Sequence, residues 1–315
     1  MAQNMMRAIT QDEFGGPEVL RLVEVERPSP GPVEVLVRVQ ASGVNPTDWK
    51  HRGARRFLGD PPYTLGWDVA GVVEEVGVGV AVLKPGDEVL GLLPYPGRGG
   101  GYADHVVASA RTFVRRPSSI DPATAAALPL VSMTAWQALV DVAGVQAGDR
   151  VLVHAAAGGV GHLAVQIAAH FGAHVIGTAS AEKHEVVRTF GAAEVIDYRT
   201  GDFAEELSDV DVVIDTIGDD YGPRSIATMR RGGRYVTLTP GNLHPDLDAA
   251  AQRAGVRTNV MLVEPDHATL REIVRLVDRG DLRVEVAQTF HAAQAAQAHQ
   301  MGEQNRTTGK IVLTW

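Results

Sequence analysis

Three glycines, Gly158, Gly159 and Gly161, stand in the stretch "HAAAGGVGHLAVQIAAHFGAHVIGTAS" (154–180), where one kind of periodicity gives way to another. Before them, "DRVLVHAA" is a short apolar run of strand-forming residues. After them, Val160, Leu163, Ala164, Ile167, Ala168 and Phe171 recur at helical spacing, and "HVIGTAS" returns to strand. On that spacing His162, Gln166 and His170 are expected on the helix's solvated face. Glycines at the first turn of such a unit let the strand turn sharply, the backbone approach a pyrophosphate closely and the helix pack near the strand. The free N–H groups and positive dipole end of the helix then meet the phosphate charge. The turn from Ala157 through Gly158, Gly159, Val160 and Gly161 is therefore expected to hold a dinucleotide pyrophosphate. In the strict G-x-G-x-x-G spacing the first glycine would fall at Ala156, so the pattern reads A-x-G-x-x-G.

The choice of dinucleotide is expected at the tip of the next strand, where an acidic residue would bind the adenosine ribose diol of NAD. The tip here is Thr178-Ala179-Ser180. Ser180 can donate to a 2′-phosphate, and Lys183, one turn along, brings positive charge. This predicts NADPH, with Glu182 as the residue that argues against it.

The 315 residues suggest about two domains, and 45% hydrophobic residues supply material for two cores. No run approaches the ~20 apolar residues of a membrane span, and "MAQNMMRAITQDEF" has no long apolar segment, so no membrane partner is expected and the cytoplasm is the expected location. There is no cysteine, which removes disulfides, thiolate nucleophiles and cysteine-ligated zinc. A net charge of −9 argues against nucleic acid as a partner. Up to about residue 126 the chain alternates short strands and turns, as in "EVLVRVQASGVNP" and around Pro85-Gly86-Asp87. From 127 to 266 strands alternate with helices, the order of a parallel sheet. Residues 267–315 read as helix, strand, helix and strand, and suggest a return to the first module.

Several ordered motifs, "FGGPEVL", "SGVNPTDWKHRG", "LGWDVAGVV", "KPGDEVLGL", "GGYADHVV", "ALPLVSMTAWQAL", "AAAGGVG" and "TGKIVL", make the chain resemble a zinc-independent medium-chain dehydrogenase/reductase of the quinone oxidoreductase, zeta-crystallin-like branch. The resemblance implies an α/β protein: a GroES-like β-barrel catalytic domain (1–126), a doubly wound Rossmann domain (127–266), a returning segment (267–315), a cofactor held in the cleft, and a homodimer. Zinc alcohol dehydrogenases, by the same comparison, place a cysteine where Asn45 stands and a histidine where Trp67 stands. Asp68 alone cannot hold a catalytic zinc, and the 11 histidines offer no replacement, His105, His154 and His244 reading as surface or packing residues; no metal is expected.

Without a metal Lewis acid, hydride transfer to an already electrophilic acceptor is the simpler chemistry. NADPH-dependent reduction of quinones or α,β-unsaturated carbonyls is expected, with a small electrophilic molecule as substrate. Reduction of enoyl thioesters, or NADPH binding by a sensor or structural protein with little turnover, are the alternatives. The resemblance implies an oxyanion donor at Asn45, a residue beside the nicotinamide at Thr134, and a phosphate-lining residue at Tyr198, next to Arg199. Asn45 also reads as a turn residue before Pro46, and Thr134 as a helix-start cap. Asp48 reads either as an orienting group or as an exposed turn carboxylate. Lys50 replaces a tyrosine found in some relatives and is a candidate hydrogen-bond or proton donor, or a solvated lysine. Tyr63 and Tyr95 are candidates for an aromatic pocket or for barrel packing.

Overall fold

The computed structural model describes residues 4–315, and the chain divides into two compact units. The first takes the described residues through Leu130, then Glu264–Arg279 and Val284–Trp315. Its early part holds β1 (Met5–Gln11), β2 (Arg21–Glu26), β3 (Glu34–Val44), helix α1 (Pro46–Gly53), β4 (Tyr63–Thr64), β5 (Asp68–Val76), β6 (Glu88–Leu92), β7 (His105–Ser109), β8 (Phe113–Arg115) and helix α2 (Pro122–Ala126). Helix α3 (Pro129–Trp136) follows and continues into a π-type turn over Gln137–Val142.

The second unit, Val131–Val263 with Gly280–Arg283, contains β9 (Arg150–Val153), α4 (Gly161–His170), β10 (His174–Ala179), α5 (His184–Thr189), β11 (Glu194–Asp197), α6 (Phe203–Glu206), β12 (Val210–Asp215), α7 (Tyr221–Thr228), β13 (Met229–Thr237), α8 (Leu247–Ala254) and β14 (Arg257–Val260). The strands lie in the order β11-β10-β9-β12-β13-β14, every neighbouring pair parallel. This is the doubly wound order, and its direction reverses at β9, so the glycine turn leaves the sheet at the switch point. Val151, Leu152, Val153, Val212, Val213 and Ile214 are fully buried, as strands covered by helices on both faces require.

The chain then re-enters the first unit through α9 (His267–Arg279), β15 (Val286–His291), α10 (Ala295–Glu303) and β16 (Lys310–Thr314). β16 pairs antiparallel with β3, Ile311 against Val44, in a sheet ordered β15-β16-β3-β5-β6-β8 with β7 also on β3. A second sheet, β2-β1-β4, completes the unit. β3 ends at Val44 and Pro46 starts α1, because proline's fixed φ and missing N–H suit the first helical position. Asn45 is the joint between them. Among the described residues no helix is long and apolar enough to cross a membrane.

Candidate active site

The glycine turn follows β9 at once. Ala155 takes a left-handed φ of +48°, the Gly158 N–H closes on the Ala155 carbonyl at 2.8 Å, and the Ala156 N–H is taken by Thr178. Among the described residues, the N–H groups of Ala157, Gly159, Val160 and Gly161 carry no hydrogen bond. Four unpaired donors at a strand-to-helix turn form a cradle for an anion. A Cβ on Gly161 would stand 2.2 Å from the Ala155 carbonyl oxygen, so only glycine lets the helix start this close to the turn.

The solvated face predicted for α4 is corrected for two of its three residues. His162 and Gln166 are buried: the His162 ring lies 5.6 Å from Phe190 with Nδ1 2.9 Å from the Gly158 carbonyl. Gln166 Nε2 donates to the Arg283 carbonyl and Gln166 Oε1 accepts from the Arg283 N–H, pinning a later segment of the chain. Only His170 is exposed. His154 is a packing residue between Thr178 and Ser225, and burial lowers its pKa to about 4.

Ser180 and Tyr198 each follow the tip of a parallel strand, β10 and β11, whose ends pair at Ala179 and Asp197. Arg199 lies with its guanidinium 5.7 Å from the Tyr198 ring centre and holds both carboxylate oxygens of Glu182 at 3.2 Å. Glu182 is thus partly neutralised by a cation of the same cluster. Partial burial pushes the Lys183 ammonium down; Glu182 opposes the shift and Arg199 adds to it. Thr134 is buried at the sixth position of α3, well past its first turn, which removes the helix-start cap reading.

In the first unit Asn45 is fully buried and joins a network of charged groups. Its backbone N–H donates to Asp48 Oδ2 at 2.7 Å, its Nδ2 donates to Asp68 Oδ2 at 2.8 Å, and its Oδ1 accepts from Lys310 Nζ. Lys310 also donates to the Val44 carbonyl at 2.8 Å and lies 3.5 Å from Asp68. Asp48, read as orienting or exposed, is buried and orients: it also accepts from the Gly66 N–H at 2.9 Å. Burial raises its pKa to about 7, against the pull of these N–H donors and of Lys310. The network continues through Tyr102, His299 (Nε2 3.3 Å from the Tyr102 hydroxyl) and Arg52, which pairs with Glu303.

At the end of α1, Lys50 is exposed; desolvation and the nearby Arg56 lower its pKa. Tyr63 is a packing residue with its hydroxyl on the His51 carbonyl at 2.8 Å, whereas Tyr95 packs edge-on against Trp67 at 5.4 Å with its hydroxyl 3.3 Å from Thr47 Oγ1.

Residues 31–118 match the alcohol dehydrogenase GroES-like domain family, and 190–313 match the family described as zinc-binding dehydrogenase. A 2-haloacrylate reductase from a Burkholderia species is 35% identical, over 98% of this chain and 99% of its own. The quinone oxidoreductase of Coxiella burnetii superposes with a TM-score of 0.93 at 35% identity over 99% of both chains. That of Escherichia coli, solved with NADPH, gives 0.91 at 30% over 98% and 100%. The chain belongs to the quinone oxidoreductase branch of the medium-chain dehydrogenase/reductases.

As a member of this oxidoreductase family it departs from the zinc enzymes in its donor set. Asn45 and Trp67 stand at two ligand positions; Trp67 Nε1 is committed to the Gly97 carbonyl at 2.8 Å, and an indole offers no metal-binding lone pair. The remaining carboxylate, Asp68, already has an ammonium, an amide and the Leu130 N–H around it. These residues do not fit a zinc ion, and no chemistry is routed through one. Elsewhere Asp219, Asp220 and His244 bring ligand atoms within 4.8 Å of one another, but the carboxylates are exposed. Lys310, Tyr102, His299 and Arg52 were not legible as site residues. Lys310 lies in "TGKIVL", but its partners are more than 240 residues away, and only β16 pairing with β3 brings them together.

Proposed function

We propose that this quinone oxidoreductase relative reduces electrophilic acceptors, quinones or activated α,β-unsaturated carbonyls, with NADPH. The observation that carries this reading is the set of unpaired N–H groups at Ala157, Gly159, Val160 and Gly161, with Ser180, Lys183, Tyr198 and Arg199 grouped after the next two strand tips. The turn would hold the pyrophosphate, and the second group the 2′-phosphate. The acrylate and quinone chemistry named for the relatives supports the same acceptor classes. NADPH, when bound, supplies the hydride.

The chain's own residues orient the acceptor and stabilise the charge that hydride addition places on its oxygen. One hydrogen of the Asn45 amide remains uncommitted to Asp68, and the Lys310 ammonium on Oδ1 polarises the amide and strengthens that donor. Lys50, in the last turn of α1 and with its pKa lowered, would be a second donor, and Thr134 would lie on the nicotinamide side. The test is an NADPH-oxidation screen over quinones, enones and enoyl thioesters, run beside NADH. Quinone or enone turnover with NADPH preferred is expected. Lys183→Ala should weaken NADPH about tenfold, the value of one partly screened charged hydrogen bond, and leave NADH unchanged. Equal loss on both cofactors, or turnover of enoyl thioesters alone, overturns the assignment.

A further inference from the structure

Glu182 is the acidic residue that argues against NADPH, and its carboxylate sits on donors assigned above to the 2′-phosphate. Its own backbone N–H and the Ser180 hydroxyl hold it below the usual carboxylate range, with Arg199 adding to the shift, and Arg199 Nη1 meets both of its oxygens at 3.2 Å. Both sides of this contact are anchored. Ser180 is 4% exposed, and the helical turn that it opens is closed by the Lys183 N–H on the Ser180 carbonyl at 2.8 Å. The Arg199 N–H donates to Asp197 Oδ1 at 3.0 Å, at the end of β11. A hydroxyl, a backbone N–H at the start of a helical turn and a guanidinium are the donors that a phosphate monoester takes. Here a carboxylate of the protein itself holds all three.

The lowered pKa keeps that carboxylate charged at neutral pH, so it does not leave its donors by taking up a proton. A 2′-phosphate carries about two negative charges at pH 7 and needs the same donors, so carboxylate and phosphate cannot both hold them. The carboxylate is the one that can yield. The Glu182 and Arg199 side chains are 58% and 51% exposed, and an exposed ion pair shifts an equilibrium by only about a few-fold.

We propose that the Glu182 carboxylate is a tethered stand-in for the 2′-phosphate: it occupies the Ser180 and Arg199 donors in the free protein and is displaced into water when NADPH binds. This rests on the NADPH reading above and adds to it a specificity-determining residue whose effect is opposite in sign to that of Lys183. Part of the attraction between Arg199 and the phosphate is spent on releasing Glu182, so the preference for NADPH is smaller than the donors alone would give. NADH carries a free ribose hydroxyl instead and leaves the Glu182–Arg199 contact in place. Arg199 therefore counts for little in phosphate binding while Glu182 is present, and for much once it is removed.

Adenosine 2′,5′-bisphosphate and 5′-AMP differ only in the 2′-phosphate, and titration calorimetry of the full chain with each reads the site without turnover. Glu182→Gln is expected to tighten the bisphosphate about three- to fivefold and to leave 5′-AMP within about twofold. Arg199→Gln should weaken the bisphosphate about twofold in the parent protein and about tenfold in the Glu182→Gln background, because only there is the guanidinium free for the phosphate. The four proteins form a double-mutant cycle. Additive effects would reduce Glu182 to a distant repelling charge and overturn the proposal, as would a bisphosphate affinity that Glu182→Gln leaves unchanged or lowers, or an equal gain for 5′-AMP. A parent protein that binds the bisphosphate no better than 5′-AMP sinks the NADPH reading by itself. The stand-in then survives if Glu182→Gln creates the preference, and falls if it does not.

Discussion

Lys310 is a fully buried ammonium whose partners, Asp68, Asn45 and the Val44 carbonyl, are buried with it. Breaking a buried pair from one side strands a charge, which costs more than the pair is worth. Lys310→Met should therefore destabilise the protein by about 3–5 kcal/mol, whereas adding Asp68→Asn to it should recover part of that loss. Urea unfolding of the two single variants and the double variant measures the coupling; simple additivity would show that the two groups do not depend on each other. At the residue scale, spacing along the chain is informative where the neighbours are local. The glycines of the turn and the Ser180–Lys183 pair sit within one motif, so their neighbours could be named from it. Asn45 was picked out as a donor, but its commitment to Asp68 and Lys310 depends on strand pairing across the whole chain, and no local pattern carries that information.

At the level of elements, the strand-turn-helix unit around β9 and α4 was legible because both periodicities are strong and the glycines mark the change. What misled was the polar residues on α4. Spacing separates a helix into faces but does not reveal that a polar face will be covered, and here His162 folds back on the Gly158 carbonyl while Gln166 meets Arg283. The close start of α4 predicts a backbone effect. Gly161→Ala would drive a methyl group to within 2.2 Å of the Ala155 carbonyl oxygen, which can be relieved only by shifting the turn. A loss of about 1–3 kcal/mol is expected, together with weaker binding of NADPH and NADH alike because the pyrophosphate cradle moves. Thermal unfolding with and without each cofactor checks this; a variant that binds both as well as the parent would detach the turn from nucleotide binding.

Across the whole molecule, acid should act unequally on the two units. His154 in the second unit faces Asp215 and Arg224, and burial holds its pKa at about 4 when folded against an ordinary 6.5. The unfolded chain therefore takes up a proton first as pH falls, and stability present above 6.5 is lost toward pH 4, at about 1.4 kcal/mol per pH unit. In the first unit His299, beside Arg52 and lowered to about 3, acts in the same sense. Asp48 acts against it: its folded pKa of about 7 exceeds the ordinary 3.8, so over that range the folded state holds the extra proton and gains as pH falls. Hydrogen-exchange protection in β9 and β12 should fall more steeply between pH 6.5 and 4.5 than in β3 and β5. His154→Asn should flatten the second unit's slope. Parallel slopes in both units would contradict the opposing role given to Asp48.

The antiparallel pairing of β16 with β3 also sets an order of assembly during synthesis. The second unit is nearly continuous in sequence and has all but Gly280–Arg283 once residue 263 has been made. The first unit cannot close its main sheet until residues 310–314 arrive, about 180 residues after Leu130. At elongation rates of ~5–20 residues per second, that is a wait of about 10–40 s on the ribosome. Throughout it the stretch of β3 that β16 covers, residues 41–44, lacks that partner, and Asp68 lacks the Lys310 ammonium. The emerging chain thus offers a strand edge and a carboxylate without its ammonium to whatever attends nascent polypeptides, and the arrival of β16 ends that exposure.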